Sequence, residues 1–303
     1  MKILLLGKNG QVGWELQRSL APLGEVIALG SDSVQWCGNF QDLAGIEATV
    51  RAIAPDVIVN AAAYTAVDKA ESDADACATV NARAPGVLAA VAAETGALLV
   101  HYSTDYVFDG SGEAPRDESA PTGPLSVYGS TKLDGEQAIA RSGCQYLIFR
   151  TSWVYAARGG NFAKTMLRLA GERERLSVVA DQIGAPTGAE LIADVTAHAI
   201  RSARAQPELS GIYHLAAAGE TSWHGYARYV IDFARQAGAR ITVANEAIAA
   251  VGSEAFPAPA ARPKNSRLDT AKLQSAFSLT LPDWQRGVAR MLSEILENND
   301  GSR

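Results

Sequence analysis

The first half of the chain alternates short apolar runs with longer segments of helical periodicity. The apolar runs are rich in Val, Ile and Leu and almost uninterrupted, which is the pattern of strands buried on both faces of a parallel sheet. They predict strands at residues 2–6, 25–29, 56–61, 97–103 and 146–152. The segments between them predict helices at residues 12–20, 43–53, 74–94 and 128–140. This alternation predicts a doubly wound α/β fold, in which helices cover both faces of a parallel sheet.

The alternation loosens after residue 155, and helical segments dominate the second half. Helices are predicted at residues 161–169, 189–204, 223–236 and 285–296, with short strands at 176–180 and 211–215. A Pro-rich and Ala-rich loop is predicted at residues 256–263. We therefore expect residues 1–155 to form one domain. Residues 156–303 should form mainly a smaller, mostly helical lobe that closes over a ligand, with some segments returning to the first domain.

Composition and charge restrict the class of protein. With 303 residues, of which 48% are hydrophobic and 20% charged, the chain can bury a core without cross-links. The net charge of -6 and the absence of a Lys/Arg cluster argue against a nucleic-acid partner. Cys37, Cys77 and Cys144 have no CxxC spacing, which is typical of reduced cytoplasmic thiols. The apolar run at residues 3–6 is too short for a signal or membrane segment, so we expect a cytoplasmic protein without a membrane partner.

A glycine-rich turn connects the first predicted strand to the first predicted helix. It reads Gly7-Lys8-Asn9-Gly10-Gln11-Val12-Gly13. In such a turn the first glycine permits the bend, the second lets the backbone approach a pyrophosphate, and the third lets helix and strand pack closely. The free N–H groups at the helix start add a partial positive charge for the anion. The turn therefore predicts a Rossmann-type dinucleotide-binding domain over residues 1–155.

The end of the second predicted strand bears on the choice of dinucleotide. An acidic residue at this position bonds the ribose 2'-hydroxyl of NAD and repels the 2'-phosphate of NADP. The sequence here is Gly30-Ser31-Asp32, with no acid at the immediate strand end. We therefore predict that NADPH is accepted, and NADH is left open as an alternative.

Tyr128 and Lys132 form a Tyr-x-x-x-Lys pair near the start of a predicted helix, so both side chains project from one face. A free tyrosine has a pKa of about 10, and a neighbouring ammonium favours its phenolate. Such a lysine can also hold the nicotinamide ribose. Thr104 lies at the carboxyl end of the fourth strand, where ligands of doubly wound folds bind, and its hydroxyl can bond a substrate carbonyl. The three residues predict a catalytic group that donates a proton; chance packing on a helix surface is the alternative.

These motifs and their neighbours resemble those of the dTDP-4-dehydrorhamnose reductases, a family of extended short-chain dehydrogenase/reductases. The matching stretches cover nearly the whole chain and include residues 7–16, 59–71, 101–108, 127–132, 149–155 and 184–188. The resemblance implies hydride transfer to C4 of dTDP-4-dehydro-L-rhamnose, with Tyr128 protonating the new alkoxide. The product would be dTDP-L-rhamnose, for bacterial cell-surface polysaccharide synthesis.

The resemblance also implies roles for individual residues. It implies substrate contacts from Val67, Thr104, Asp105, Tyr128 and Trp153, although Trp153 could equally be a core aromatic. It implies a cofactor cleft formed, beside the glycine turn, by Asn39, Phe40, Ala62, Ala63, Tyr64, Thr65, Tyr102, Tyr128 and Lys132. Gly30 and Asn39 stand where the family pattern leads us to expect acids, so cofactor preference is less well determined than cofactor use.

A homodimer bridged by magnesium is a further implication of the resemblance. The matching carboxylates are Glu15, Glu190 and Glu294, and the alternative is that each is a solvated helix acid. For the substrate diphosphate, the basic candidates are Arg262 and Lys264, with solvated surface charge as the alternative.

Three other functions compete with reduction. A nucleotide-sugar 4,6-dehydratase needs a Thr-Asp-Glu run, and the sequence Thr104-Asp105-Tyr106 lacks the glutamate. A nucleotide-sugar 4-epimerase remains an alternative, since it would show no net redox change. A non-catalytic regulatory subunit that binds a dinucleotide is the other alternative, although the intact Thr104, Tyr128 and Lys132 disfavour it.

Overall fold

The computed structural model of the chain describes the backbone of residues 1–300 and the side chains of residues 1–297. The strands are β1 (Lys2–Leu6), β2 (Glu25–Leu29), β3 (Val57–Asn60), β4 (Leu98–Thr104), β5 (Tyr146–Thr151), β6 (Val154–Tyr155), β7 (Leu176–Val179), β8 (Ile183–Gly184), β9 (Thr187–Gly188), β10 (Gly211–His214), β11 (Thr221–Ser222) and β12 (Ile248–Val251). The helices are α1 (Gln11–Leu20), α2 (Leu43–Ile53), α3 (Val67–Ala70), α4 (Ala74–Ala78), α5 (Ala84–Thr95), α6 (Val127–Arg141), α7 (Phe162–Glu172), α8 (Ala189–Ala205), α9 (Trp223–Gln236), α10 (Ala271–Phe277) and α11 (Trp284–Asp300). Short 3₁₀ turns lie at Ala21–Leu23, Asp105–Val107, Pro207–Leu209, Asn245–Ala247 and Ser253–Ala255.

Six strands form one parallel sheet in the order β10-β5-β4-β3-β1-β2. The order runs outward in both directions from β1 and β3, which is the doubly wound arrangement predicted from the sequence. Each of the five strands predicted in the first half is present, with bounds within two residues of the prediction. The carboxyl ends of the strands therefore meet at one edge, where the glycine turn and Thr104 both lie.

Alternate side chains of each central strand enter two separate hydrophobic cores. From β1, Ile3 and Leu5 pack into the core that contains residues of α1, α8 and α10. Leu4 and Leu6 pack into the core on the opposite face, which contains residues of α2 and α5. These four side chains are fully buried, because a strand in the middle of a covered parallel sheet exposes neither face.

Two elements from the second half of the chain join the first domain. The strand predicted at residues 211–215 is β10, and it pairs with β5 at the edge of the main sheet, with Gly211 opposite Leu147. Helix α8 packs on α1, where the guanidinium of Arg18 lies 3.0 Å from the carboxylate of Asp194. Periodicity identified both elements but could not identify their partners, because a strand pattern does not contain the identity of the neighbouring strand.

The helix predicted at residues 74–94 is interrupted by a π-helical turn, Thr79–Arg83, between α4 and α5. Pro85 has no N–H to donate to the Asn81 carbonyl four residues earlier, so a regular helix cannot continue there. That carbonyl faces α6, where a Cβ at Gly135 would overlap it. The Asn81 side chain accepts a 2.8 Å hydrogen bond from the Tyr64 N–H and so holds the loop that follows β3. The prediction of a continuous helix was therefore wrong at this turn.

The whole helical run Ala74–Thr95 passes a length and composition test for a membrane-spanning helix. Half of its most apolar window is buried inside the protein, and a helix of a protein core passes the same test. The test is thus weak in this chain.

The lobe outside the main sheet has its own core, to which α7, α9, α11, β7 and β12 contribute. Its centre is aromatic, with Phe162, Trp223 and Tyr226 in mutual contact and the Trp284 ring edge-on to Tyr226. Because each aromatic ring buries a large area, this cluster contributes much of the packing of the lobe.

Candidate active site

The glycine-rich turn is fixed by contacts with its neighbours. Gly7 has a φ of 89°, a left-handed conformation that glycine adopts without a steric cost. Its N–H donates to the Leu29 carbonyl at 2.8 Å. A Cβ at Gly7 would lie 2.6 Å from the Ala62 nitrogen, and a Cβ at Gly13 would overlap the Gly7 carbonyl. A Cβ at Gly10 would meet only one atom, at 3.5 Å, so Gly10 leaves open space beside the turn.

A cavity of about 280 Å³ lies against this turn. Its walls include Gly7, Asn9, Gly10, Gly30, Ser31, Gly38, Asn39, Phe40, Ala61, Ala62, Ala63 and Val80. Among these are Asn39, Phe40, Ala62 and Ala63, which the sequence predicted to bind the cofactor. Gln11 and Val12 begin α1 at the edge of the turn. The position and small lining residues suit the adenosine half of a dinucleotide.

Three further residues predicted to bind the cofactor lie outside this cavity. The Tyr64 hydroxyl, in the loop after β3, donates to the Asp73 carboxylate at 3.0 Å. Thr65 follows it and is exposed. Tyr102 directs its hydroxyl to the Thr196 hydroxyl of α8, 2.8 Å away, so its carbonyl rather than its phenol faces Lys132.

Asp32 lies closer to the adenosine cavity than its sequence position suggested. Its carboxylate accepts a 3.1 Å hydrogen bond from the Asn9 side chain. A Cβ built on Gly30 would lie 2.5 Å from the same carboxylate oxygen. The turn after β2 therefore folds an acid back toward the strand end, where the sequence alone had shown none.

Thr104 and Tyr128 face each other across the carboxyl edge of the sheet. Thr104 is the last residue of β4, and Tyr128 is the second residue of α6. The N-cap of α6 is Ser126, whose hydroxyl accepts a 3.2 Å hydrogen bond from the Gly129 N–H. Burial raises the pKa of the Tyr128 phenol, and the adjacent Thr104 hydroxyl lowers it in part. The ring of Tyr106 packs edge-on against Tyr128, with centroids 5.5 Å apart. The structure thus brings together the predicted hydroxyl and the predicted phenol.

Asp105 is buried directly beside these two residues. Its Oδ1 accepts a 3.1 Å hydrogen bond from the Thr104 hydroxyl, while its Oδ2 has no hydrogen-bond partner among the described residues. Burial raises the pKa of Asp105 to about 6, while the nearby hydroxyls of Ser266 and Thr104 lower this pKa in part. An unpaired, buried carboxylate oxygen at this position is suited to accept a hydrogen bond from a sugar hydroxyl.

Lys132 is one helical turn beyond Tyr128 and is almost completely buried. Its Nζ donates to the Tyr102 carbonyl at 2.5 Å and lies 3.2 Å from Nε2 of His101. Burial lowers the pKa of Lys132 to about 8. His101 contacts Asn60 in turn, at 3.0 Å. Sequence reasoning identified the lysine but missed His101 and Asn60, whose only signal was a polar residue within a buried strand.

A larger cavity of about 810 Å³ is lined mainly by residues of the lobe, with Tyr106, which packs on Tyr128, also on its wall. Its walls include Tyr106, Phe162, Gln182, Trp223 and Phe256. The Trp223 ring stacks on Trp153 at 3.7 Å, and Trp153 itself is not among the lining residues. Trp153 also has a φ of 48°, a strained conformation for a bulky residue. The structure therefore places Trp153 behind the cavity wall and Trp223 on it.

Of the two basic residues expected at the substrate diphosphate, one lines this cavity, and two further arginines line it as well. Arg262 lines the cavity, and its guanidinium pairs with Asp68 at 2.7 Å, beside Val67 at the start of α3. Lys264 pairs with Asp181 at 3.0 Å and does not line it. Arg173 and Arg175 do line it, and sequence reasoning missed both because a basic residue after a helix is normally solvated.

The three carboxylates predicted to hold magnesium line a separate cavity of about 260 Å³. The pKa of Glu15 is raised by burial and by the nearby Glu190 and Glu294. Glu15 lies 3.5 Å from Arg18 and Glu190 lies 3.3 Å from Arg290. Among the described residues, no group of three or more His, Cys, Asp or Glu side chains is arranged to hold a metal ion. One chain alone therefore brings the acids near each other without forming a complete coordination sphere.

Comparison with known proteins shows which family the chain belongs to. A model of the family described as RmlD substrate binding domain matches residues 1–297. The dTDP-4-dehydrorhamnose reductase of Salmonella typhimurium is 59% identical over 295 residues, covering 97% of this chain and 98% of that protein. The chain belongs to the dTDP-4-dehydrorhamnose reductase family. The resemblance stated from the sequence is confirmed.

Solved structures of the family have the same fold. A dTDP-4-dehydrorhamnose reductase from Clostridium acetobutylicum has a TM-score of 0.87 and 34% identity, covering 98% of this chain and 100% of that chain. One from Bacillus anthracis, in complex with NADP, has a TM-score of 0.84 and 34% identity, covering 97% and 99%. The Rossmann-type fold predicted from the sequence is thereby confirmed.

Proposed function

We propose that the chain reduces the C4 keto group of dTDP-4-dehydro-L-rhamnose with NADPH, giving dTDP-L-rhamnose in the bacterial cytoplasm. The observation that carries the proposal is the position of Tyr128, Thr104 and Lys132 at the strand edge beside the glycine turn. The family relatives named above support the substrate. The NADP complex of the Bacillus anthracis relative supports the cofactor.

The proposed chemistry assigns one task to each residue. NADPH, when bound, supplies the hydride that goes to C4 of the sugar. Thr104 turns its hydroxyl hydrogen from Asp105 to the C4 oxygen and so orients that oxygen toward Tyr128. Tyr128 then gives its phenolic proton to the alkoxide that forms. Lys132 stabilises the resulting phenolate by its positive charge and returns a proton to it.

The substrate nucleotide fits the larger cavity. A volume of about 810 Å³ lies in the range of small-molecule sites, and its wall carries aromatic rings from Phe162, Trp223 and Phe256. Arg173, Arg175 and Arg262 on the same wall are placed to neutralise a diphosphate, as an acidic protein requires for an anionic substrate. We therefore propose that the base stacks on these rings and the diphosphate meets these guanidinium groups.

Product analysis tests the proposed reaction. The protein is incubated with NADPH and dTDP-4-dehydro-L-rhamnose, and the sugar is identified by NMR. We expect dTDP-L-rhamnose and one NADPH consumed for each molecule formed. A sugar of inverted configuration without net loss of NADPH absorbance would instead identify an epimerase. Tight NADPH binding with no turnover of this substrate would identify a regulatory subunit.

The choice of cofactor gives a prediction at Gly30. We expect Gly30→Asp to raise the KM for NADPH at least about 10-fold while leaving the KM for NADH within about 3-fold, because a second carboxylate beside Asp32, whose own carboxylate is held by Asn9, adds to the repulsion of a 2'-phosphate. The measurement is steady-state kinetics with each cofactor, and Gly30→Ala is the matched control for the added Cβ, which would meet the flexible Asp32 and Asn9 side chains. Equal changes for both cofactors would contradict a 2'-phosphate site here.

Magnesium and dimerisation are proposed together. We propose that Glu15, Glu190 and Glu294 of two copies hold a Mg²⁺ ion at a homodimer interface, since a cation would relieve the like charge that raises the pKa of Glu15. Removal of divalent metal by EDTA should convert a dimer to a monomer in analytical ultracentrifugation, and Mg²⁺ should restore it. Glu190→Gln should weaken this response, whereas Glu172→Gln on the exposed face of α7 should not. A dimer that survives chelation would contradict the metal bridge.

A further inference from the structure

Two buried polar side chains, those of Asn60 and His101, connect the loop after β3 to Lys132. The N–H of Ala62 donates to Oδ1 of Asn60 at 3.1 Å. The Nδ2 atom of Asn60 lies 3.0 Å from Nδ1 of His101. Nε2 of His101 lies 3.2 Å from Nζ of Lys132. Asn60, His101 and Lys132 are each only 1% exposed, so water does not compete for these contacts.

The direction of each hydrogen bond follows from the first one. A backbone N–H can only donate, so the atom of Asn60 that meets Ala62 must be the carbonyl oxygen. The amide nitrogen of Asn60 therefore faces His101 and donates to Nδ1. An acceptor Nδ1 in a neutral imidazole leaves the ring hydrogen on Nε2, which points at Lys132. An ammonium there would place two donors against each other, whereas an uncharged amine would accept the Nε2–H.

We propose that His101, held by Asn60, is a positioning residue that stabilises the uncharged amine of Lys132 relative to its ammonium, so that the ammonium gives up its proton more readily. The donor direction is set by the backbone of Ala62 and transmitted through two side chains. The second contact of Lys132 is compatible with this form, since a neutral amine still donates to the Tyr102 carbonyl. The proposal rests on the catalytic role given to Lys132 above and goes beyond it by naming what controls its charge.

The other groups around Lys132 do not favour its ammonium strongly enough to cancel the effect of His101. Glu136, one turn further along α6, favours the ammonium, but its carboxylate is paired with Arg150 at 2.7 Å. The Cys77 thiol of α4 is buried, and burial raises its pKa so that it stays neutral. The Tyr128 phenol is likewise neutral before the reaction, because burial raises its pKa. Burial lowers the pKa of Lys132 to about 8, and the contact between two donors at His101 acts in the same direction.

This arrangement is suited to a lysine that gives up a proton in each cycle. After reduction, the Tyr128 proton is on the sugar hydroxyl and the phenolate remains. The proton that leaves Lys132 Nζ restores the phenol, and the neutral amine then accepts the hydrogen bond from His101. Solvent returns the proton to Lys132 afterwards. A lysine without this partner would hold its proton more tightly and restore Tyr128 more slowly.

The decisive experiment measures the charge of Lys132 in the free protein. We label the lysines with ¹⁵N, assign the Lys132 Nζ resonance by its loss in Lys132→Met, and titrate it by NMR. In His101→Gln, a glutamine oxygen can turn toward Lys132, and the midpoint should rise by about one pH unit. His214→Gln, at another buried histidine of the same sheet, should leave the midpoint unchanged. A midpoint that stays in place in folded His101→Gln overturns the proposal.

A second variant keeps the test decisive if His101→Gln does not fold. In Asn60→Leu, which adds no charge, no amide donor faces Nδ1, so the ring can carry its hydrogen there and present an acceptor Nε2 to Lys132, and the midpoint should again rise. An unchanged midpoint in this variant also overturns the proposal. The pH profile of kcat separates the two hypotheses, because its alkaline limit should follow the NMR midpoint. If the midpoint moves and the kcat profile does not, His101 still controls Lys132 and the catalytic role of Lys132 fails instead.

Discussion

Tyr128→Phe should lower kcat by about 10²–10⁴-fold, because the new alkoxide loses its proton donor while the ring keeps its place beside Tyr106. The affinity for NADPH should stay nearly intact, since phenylalanine preserves the packing and removes only one oxygen. The measurements are steady-state turnover of the 4-keto sugar and NADPH binding followed by fluorescence. A fall in both by the same factor would mean that the substitution damages the site as a whole.

Tyr229→Phe is the matched control for this prediction. Its hydroxyl donates to the Gln285 carbonyl in the lobe, away from the strand edge, at 3.1 Å. Loss of one partly exposed hydrogen bond should cost about 1 kcal/mol of stability and leave kcat unchanged. Wild-type turnover in Tyr128→Phe would contradict Tyr128 as the proton donor and leave Thr104 or solvent in that role.

Much of the fold could be predicted from the sequence because its signals are local. Near-continuous apolar strands and a glycine turn with a helix behind it define a doubly wound sheet without any knowledge of distant contacts. The same reasoning failed at Thr79–Arg83, where a missing N–H at Pro85 creates a π turn. It also could not identify the partner of β10, since strand pairing is a property of the folded sheet and not of one segment.

The candidate site was predictable where residues act through their type and spacing. Tyr128 and Lys132 are four residues apart on one helix, so their common face follows from helical geometry. His101, Asn60 and Asp32 could not be found in this way, because their roles depend on which atoms three separate loops and strands bring together. The basic wall of Arg173 and Arg175 is similarly a consequence of how the lobe packs on the sheet.

The ion pair of Glu136 and Arg150 gives the second large effect. Its side chains are 2% and 4% exposed, and the guanidinium meets the carboxylate at 2.7 and 3.0 Å. Glu136→Gln removes one charge and leaves Arg150 buried without a counter-ion, which should lower the free energy of unfolding by about 3–5 kcal/mol. Urea denaturation followed by circular dichroism measures this change. Glu172→Gln breaks an exposed pair with Arg168 and should cost less than about 1 kcal/mol.

Replacing both Glu136 and Arg150 distinguishes the net stabilisation by the ion pair from the cost of leaving one charge buried without its partner. Glu136→Met combined with Arg150→Met removes both charges and keeps similar volume, and the methionine that replaces Arg150 can still pack against the Phe108 ring that the guanidinium covers. We expect this double variant to recover most of the stability lost in Glu136→Gln, since desolvating two charges offsets most of their attraction. If the double variant is as unstable as Glu136→Gln, the pair stabilises the fold by its own attraction.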